Sequence, residues 1–156
     1  MLLYLCATSW ADAKVKLPAL ISDGMVLQRE QSVKVWGTAD AGENITIEFQ
    51  KKSYHATADA NGQWSITLPP LKAGGPFLMQ INDIKLNDIL VGDVWLCSGQ
   101  SNMELPVKRV MDMFSNEILN YNNEKIRHIL IPQKYNFHAP QEEISATSWK
   151  TLTQKN

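Results

Sequence analysis

Cysteine is scarce in this chain: Cys6 and Cys97 are the only two in 156 residues. That excludes a disulfide-dense scaffold, because two thiols form one cross-link at most. Charge of one sign is not in excess either, with 15 Lys+Arg against 16 Asp+Glu and a formal net charge of −1. A broad surface for nucleic acid is therefore not expected, since phosphate binding needs clustered positive charge. No apolar stretch approaches the roughly 20 residues that a helix needs to cross a bilayer. No residues stand at metal-ligand spacing. What is present is 44% hydrophobic and 20% charged residues, the balance of a folded chain and not of a disordered one. The length is that of about one domain.

The amino terminus, Met1 to Trp10, reads MLLYLCATSW and carries no charge. Ala11-Asp12-Ala13 then places small residues at the two positions a signal peptidase reads. A secretory signal over Met1–Ala13, cleaved after Ala13, is expected, which sends the protein to the periplasm or outside the cell. The usual basic n-region is missing, and a short buried strand is the competing reading. A lipid anchor on Cys6 is disfavoured, because Leu5 is too large for the small residue that processing prefers. Cleavage would remove Cys6 and leave Cys97 without an intrachain partner.

From Lys16 to Gly92 the chain reads as β structure. Val33-Lys34-Val35-Trp36-Gly37, Ile45-Thr46-Ile47-Glu48-Phe49 and Trp64-Ser65-Ile66-Thr67-Leu68 alternate apolar with polar residues. Period two puts one face of each segment on a core and the other in water. Turn residues separate them: Asp23-Gly24, Ala41-Gly42, Asn61-Gly62, Pro69-Pro70 and Gly74-Gly75. Asn61-Gly62 suits a tight hairpin, because both residues tolerate positive φ. Short strands at this spacing predict an antiparallel β-sandwich of jelly-roll or immunoglobulin-like type.

The pattern changes near Leu90. Ile89-Leu90-Val91-Gly92-Asp93-Val94-Trp95-Leu96-Cys97 is apolar on both alternating faces, as a strand buried on both sides reads. Met111, Phe114, Ile118 and Leu119 follow at helical spacing. Ile126 to Ile131 reads as a further strand, stopped by Pro132. Strand, helix, strand is the opening of a βαβ layer. A doubly wound domain needs several such units, so 93–156 is expected to be the first βαβ part of an incomplete α/β domain behind a complete β domain, 16–92.

Ser101 is the candidate for chemistry. It follows a buried strand and Gly99, at the start of a turn or helix, where open α/β folds place their ligands. Gly99 allows a tight bend and leaves room for a substrate. Free backbone N–H groups beyond the turn can face an oxyanion. A serine hydroxyl is weakly nucleophilic and needs a base, usually His, to take its proton. The local pattern has a plainer reading: Ser101-Asn102-Met103-Glu104 fits a capping box, with Ser101 as N-cap and Glu104 three residues on. Pro106 counts against a long helix there, because it restricts Leu105 and removes a donor.

Gly92-Asp93-Val94-Trp95-Leu96-Cys97-Ser98-Gly99-Gln100-Ser101-Asn102-Met103-Glu104 resembles the nucleophile block of sialate O-acetylesterases, in the SGNH hydrolase superfamily. Leu20-Ile21-Ser22-Asp23-Gly24-Met25-Val26-Leu27-Gln28-Arg29 resembles the opening of the same family's amino-terminal β domain. Trp36-Gly37 and Asp59-Ala60-Asn61-Gly62-Gln63-Trp64 continue the likeness, which runs from about Lys16 to Trp149. The resemblance implies that Ser101 is the nucleophile of a Ser–His–Asp-type esterase that removes acetyl groups from sugar hydroxyls, typically of sialic acid. It implies Gly99, Gln100 and Asn102 as supports of the nucleophile loop or oxyanion site. It implies no metal and no organic cofactor. Gln100 stands where many of the superfamily carry Asp, a departure typical of the sialate esterase branch.

The triad partners do not map onto this chain. His55 falls in an alternating β segment, His128 in the strand beyond the helix, and His138 in a loop beside Ala139-Pro140. Asp93 and Glu104 are sequence neighbours of Ser101 and poorly placed to orient a histidine; Asp93 is expected to close a turn. Trp36, Tyr54 and Trp64 could stack on a sugar, but alternating strand tryptophans more often fill a core. Lys108-Arg109 reads as solvated and Cys97 as a small buried apolar residue. Two functions stand side by side: the front part of a secreted esterase for acetylated sialic acid, or for acetylated xylan, inactive without its partners; and a non-catalytic carbohydrate-binding or structural β module.

Overall fold

The computed structural model describes residues 15–132, 137–139 and 148–152. The expected leader over Met1–Ala13 lies outside the described residues. The first three strands are β1 (Val26–Gln28), β2 (Val33–Thr38) and β3 (Asn44–Phe49). They are followed by β4 (Lys52–Thr57), β5 (Gln63–Leu68), β6 (Gly74–Ile81) and β7 (Ile84–Gly92). Five of these form one curled sheet in the order β1-β7-β6-β3-β4, and β2 pairs with β5 separately.

The three alternating segments are strands, and their burial alternates as period two requires. In β5, Trp64, Ile66 and Leu68 are buried, while Gln63, Ser65 and Thr67 face solvent. Ile45, Ile47 and Phe49 of β3, Met79 and Ile81 of β6, and Ile89 and Val91 of β7 join them in a single apolar cluster. The Phe49 and Phe77 rings meet edge-on with centroids 5.7 Å apart, the geometry that brings a positive ring edge to a negative ring face. Trp64 fills the core as expected, and Trp36 and Tyr54 pack against it, so none of the three stands out as a sugar platform.

Three expectations need correction. The large sheet is mixed and not antiparallel, because β1 runs parallel to β7, with Val26 opposite Leu90 and Gln28 opposite Gly92. Asn61-Gly62 does not join paired strands. It carries the chain from β4 in one sheet to β5 in the other, and the Asp59 carboxylate accepts from the Asn61 and Gln63 amides at 2.8 and 2.9 Å. The tight β3–β4 connection is Gln50-Lys51, which adopts φ of 48° and 62° without glycine. The third correction concerns the βαβ layer. β7 ends at Gly92, and both its edges are occupied, by β6 and by β1. Val94–Cys97 is not strand, and Trp95 and Leu96 are 84% and 85% exposed.

Beyond it come α1 (Ser101–Glu104), one 3₁₀ turn at Val107–Val110 and α2 (Ser115–Asn120). α1 stops where Leu105 turns extended, with ψ 114°, the conformation imposed on a residue before proline. The apolar spacing from Met111 to Leu119 yields only six helical residues, none buried. β8 (Asn123–His128) pairs antiparallel with β9 (Lys150–Leu152) and does not join β7. Helices and strands of a parallel layer hold each other through apolar faces. Among the described residues nothing covers those faces here, which is why the local patterns do not assemble.

Candidate active site

Ser101 is the first residue of α1, and its N-cap is Gln100, extended at φ −92°, ψ −155°. No side chain caps this helix. The capping-box reading therefore assigns Ser101 one position too early, and its hydroxyl does not tie the helix end. Gly99, Gln100, Ser101 and Asn102 are all exposed, in one turn that closes through the Met103 amide on the Gln100 carbonyl at 2.9 Å. Gly99 does not take a positive φ. A Cβ on it would come within 2.7 Å of the Met103 Cγ, so glycine serves close packing of the turn on itself.

The histidines are elsewhere. His55 Nδ1 lies 3.1 Å from Thr46 Oγ1 across the β3–β4 ladder. His128 sits in β8 opposite Lys150, and His138 is exposed in the short described stretch 137–139. Among the described residues no imidazole is hydrogen-bonded to Ser101. No group of three or more His, Cys, Asp or Glu could hold a metal ion among them. Cys97 is exposed and not buried, because the strand that was to bury it does not form. Among the described residues no helix is long and apolar enough to cross a membrane.

Asp93 has a clear task. Its carboxylate accepts from Arg29 Nε at 2.8 Å. That hydrogen bond, then the Asp93 charge, then the charge of Glu30, lift the Arg29 guanidinium further above its ordinary value. One residue on, the Val94 amide donates to Gln28 Oε1 at 2.8 Å. The Arg29 amide donates to the Gly92 carbonyl at 2.9 Å. Arg127 and Trp149, at the far end of the described chain, return to the same segment, Leu20–Arg29. Arg127 Nη1 donates to the Gly24 carbonyl at 3.0 Å, and Trp149 Nε1 donates to the Leu20 carbonyl at 3.0 Å. Gln28, Arg29, Arg127 and Trp149 were not legible as a group, since each partner lies far away along the chain.

No family model matches the chain. Curated relatives do. The chain is 33% identical to the sialate O-acetylesterases of Pongo abelii and Homo sapiens over 122 residues, covering 66% of this chain and 23% of each relative. To that of Mus musculus it is 32% identical over 112 residues, covering 62% of this chain and 21% of the relative. Among solved structures it is similar to a carbohydrate acetylesterase from Xanthomonas citri, with a TM-score of 0.85 and 36% identity over 92% of this chain and 34% of that one. The resemblance read from the residues is thus borne out. The chain spans about a quarter of the length of the curated relatives it matches.

Proposed function

We propose that this chain is the front part of an exported carbohydrate O-acetylesterase in which Ser101 is the nucleophile. The observation that carries the reading is the likeness to acetylesterases in a chain whose Ser101 is exposed at the head of α1 and is not its N-cap. In this reading Ser101 Oγ attacks the acetyl carbonyl, and the sugar hydroxyl leaves with a proton returned by a base. Water then hydrolyses the acetyl-enzyme. The Ser101 backbone N–H, at the start of the helix, faces the developing oxyanion, with Gly99, Gln100 and Asn102 shaping the loop. Histidine and acid come from polypeptide beyond the described residues. The acetylated sugar is a sialic acid in the leading version and xylan in the other.

The same reading divides the chain into a β domain, 16–92, and the beginning of a hydrolase domain, 93–156. All the buried apolar residues among those described fall between Val15 and Val91. The five-stranded sheet and the β2–β5 pair are then the two layers of a sandwich over one cluster. Export through the Met1–Ala13 signal belongs to the proposal too.

The experiment is labelling of the full-length protein with a serine-reactive fluorophosphonate. Labelling of Ser101 that vanishes in Ser101→Ala is expected. Labelling that survives the substitution would falsify the assignment.

A second reading, a carbohydrate-binding module, has one observation in its favour. The outer face of the large sheet carries an open depression of about 390 Å³ lined by Thr46, Glu48, Gln80, Asn82 and Asp83. It offers polar groups and no aromatic face, whereas sugar rings are commonly held by stacking as well as by hydrogen bonds. Calorimetric titration of the chain with acetylated and sialylated glycans decides; no heat of binding removes this reading.

A further inference from the structure

The segment Leu20–Arg29 runs beside β7 and holds the chain on both sides of Ser101. On the near side, Gln28 Oε1 accepts from the Val94 amide and Arg29 Nε donates to Asp93, both at 2.8 Å. On the far side, the Gly24 carbonyl receives Arg127 and the Leu20 carbonyl receives Trp149. Among the described residues, no hydrogen bond from the stretch between Val94 and Arg127 reaches the strands β1–β7. The stretch that carries Ser101 is a span anchored at two ends.

We propose that Leu20–Arg29 is a positioning element for the Ser101 segment, with Gln28 and Arg29 as its positioning residues. The inference rests on the esterase reading for its consequence, but the clamp itself does not. The chemistry is specific. Gln28 presents an acceptor to the Val94 amide, the second past the end of β7 at Gly92, where no strand partner is available. Arg29 adds a charge-assisted bond to the residue just before it. As exposed groups, with Arg29 41% and Asp93 54% accessible in their side chains, the pair adds little to global stability. Its effect is directional: two adjacent residues are held at once, which fixes the heading of the chain as it leaves the sheet toward Gly99. An incorrectly aimed nucleophile loses rate steeply with small displacements, so a rigid exit would serve catalysis where it does little for folding.

The test is amide exchange and ¹⁵N relaxation on the 156-residue chain. In Gln28→Leu, the Val94 amide should exchange about tenfold faster, as the loss of one hydrogen bond predicts, and residues 95–100 should gain fast motion. Gln28→Glu keeps the acceptor oxygen while losing the Nε2 donor to the Arg29 carbonyl at 3.2 Å, and its Val94 amide should exchange more slowly than that of Gln28→Leu, which a merely structural loss of the side chain would not give. Arg29→Ala should loosen the same stretch. The amides of Ile45 and Leu68 report whether the core is intact. An unchanged Val94 amide in Gln28→Leu, or Gln28→Glu behaving like Gln28→Leu, overturns the proposal. So does core exchange that rises in step with Val94. The fluorophosphonate experiment separates the two claims. Faster Val94 exchange with no label on Ser101 upholds the clamp and overturns only the esterase reading. Ser101 labelled at the wild-type rate in Gln28→Leu overturns the positioning role and leaves the nucleophile standing.

Discussion

The Arg127 guanidinium holds Asp88 twice. Nη1 donates to the Asp88 carbonyl at 2.6 Å, and Nη2 donates to the Asp88 carboxylate at 2.8 Å. Asp88 lies inside β7 with φ 58°, a left-handed kink that turns its carbonyl and carboxylate toward one donor. The Arg127 side chain is 5% exposed while that of Asp88 is 53% exposed, so the charge is desolvated on one side only. The contact joins residues 39 apart in sequence and ties the β8–β9 ladder to β7.

Arg127→Met should release that ladder. It removes the three hydrogen bonds that reach Gly24 and Asp88, and a local one to the Glu124 carbonyl, at a cost of about 2–3 kcal/mol to docking, while the apolar stem stays covered. Amide exchange of β8 should rise to that of an open segment, with β3 and β5 unaffected. If β8 keeps its protection, Arg127 is not what docks it.

Gly24 should not tolerate a side chain. Its φ is 77°, and a Cβ would stand 3.3 Å from Arg127 Nη1 and 3.4 Å from Trp149 Cβ. Gly24→Ala combines left-handed strain of about 1–2 kcal/mol with slight crowding of the Arg127 guanidinium, while Trp149 stands at ordinary contact distance. Thermal unfolding should shift downward, and β8 protection should fall more than that of the core. A neutral midpoint with unchanged β8 exchange contradicts this.

Trp64 separates packing from polarity. It is buried in the cluster, and its Nε1 finds no hydrogen-bond partner among the described residues. Trp64→Ala should cost about 3–5 kcal/mol by the cavity it leaves. Trp64→Phe should cost much less, because it also removes a buried donor without a partner. Denaturant unfolding of both variants checks the ordering; equal losses would show that indole shape alone sets the stability.

The chain as it stands should hydrolyse p-nitrophenyl acetate poorly, and Ser101→Ala should change nothing, since no described imidazole reaches Ser101. Triad enzymes that lose members typically fall by several orders of magnitude in kcat. Turnover comparable to an intact esterase, abolished by Ser101→Ala, would show a base within this chain. The exposed Trp95, Leu96, Met113 and Leu130 also make concentration-dependent association expected. Sedimentation velocity across a concentration series measures it, and a monomer throughout would contradict it.

Much of the β domain was legible because alternation is local. Val35, Ile47 and Ile66 announce their faces through neighbours two residues away, and the cluster gathers them. The family resemblance was legible for a similar reason, carried by one continuous block from Gly92 to Glu104. The hairpin was misplaced because Gln50-Lys51 hold positive φ without glycine, whereas Asn61-Gly62 show the turn residues without the pairing. The βαβ layer was misread because Val94–Cys97 is apolar enough for a buried strand, yet burial needs partners that the pattern cannot supply.

Alternation by itself determined that this chain folds around a β core, and the continuous block from Gly92 to Glu104 carried the resemblance to acetylesterases. Tertiary structure alone decided how that block is held. Gln28 meets Val94 across 66 residues, Arg127 meets Gly24 across 103 and Trp149 meets Leu20 across 129. Period and propensity act over a few residues. A hydrogen bond between distant ones exists only once the sheet has brought their backbones together.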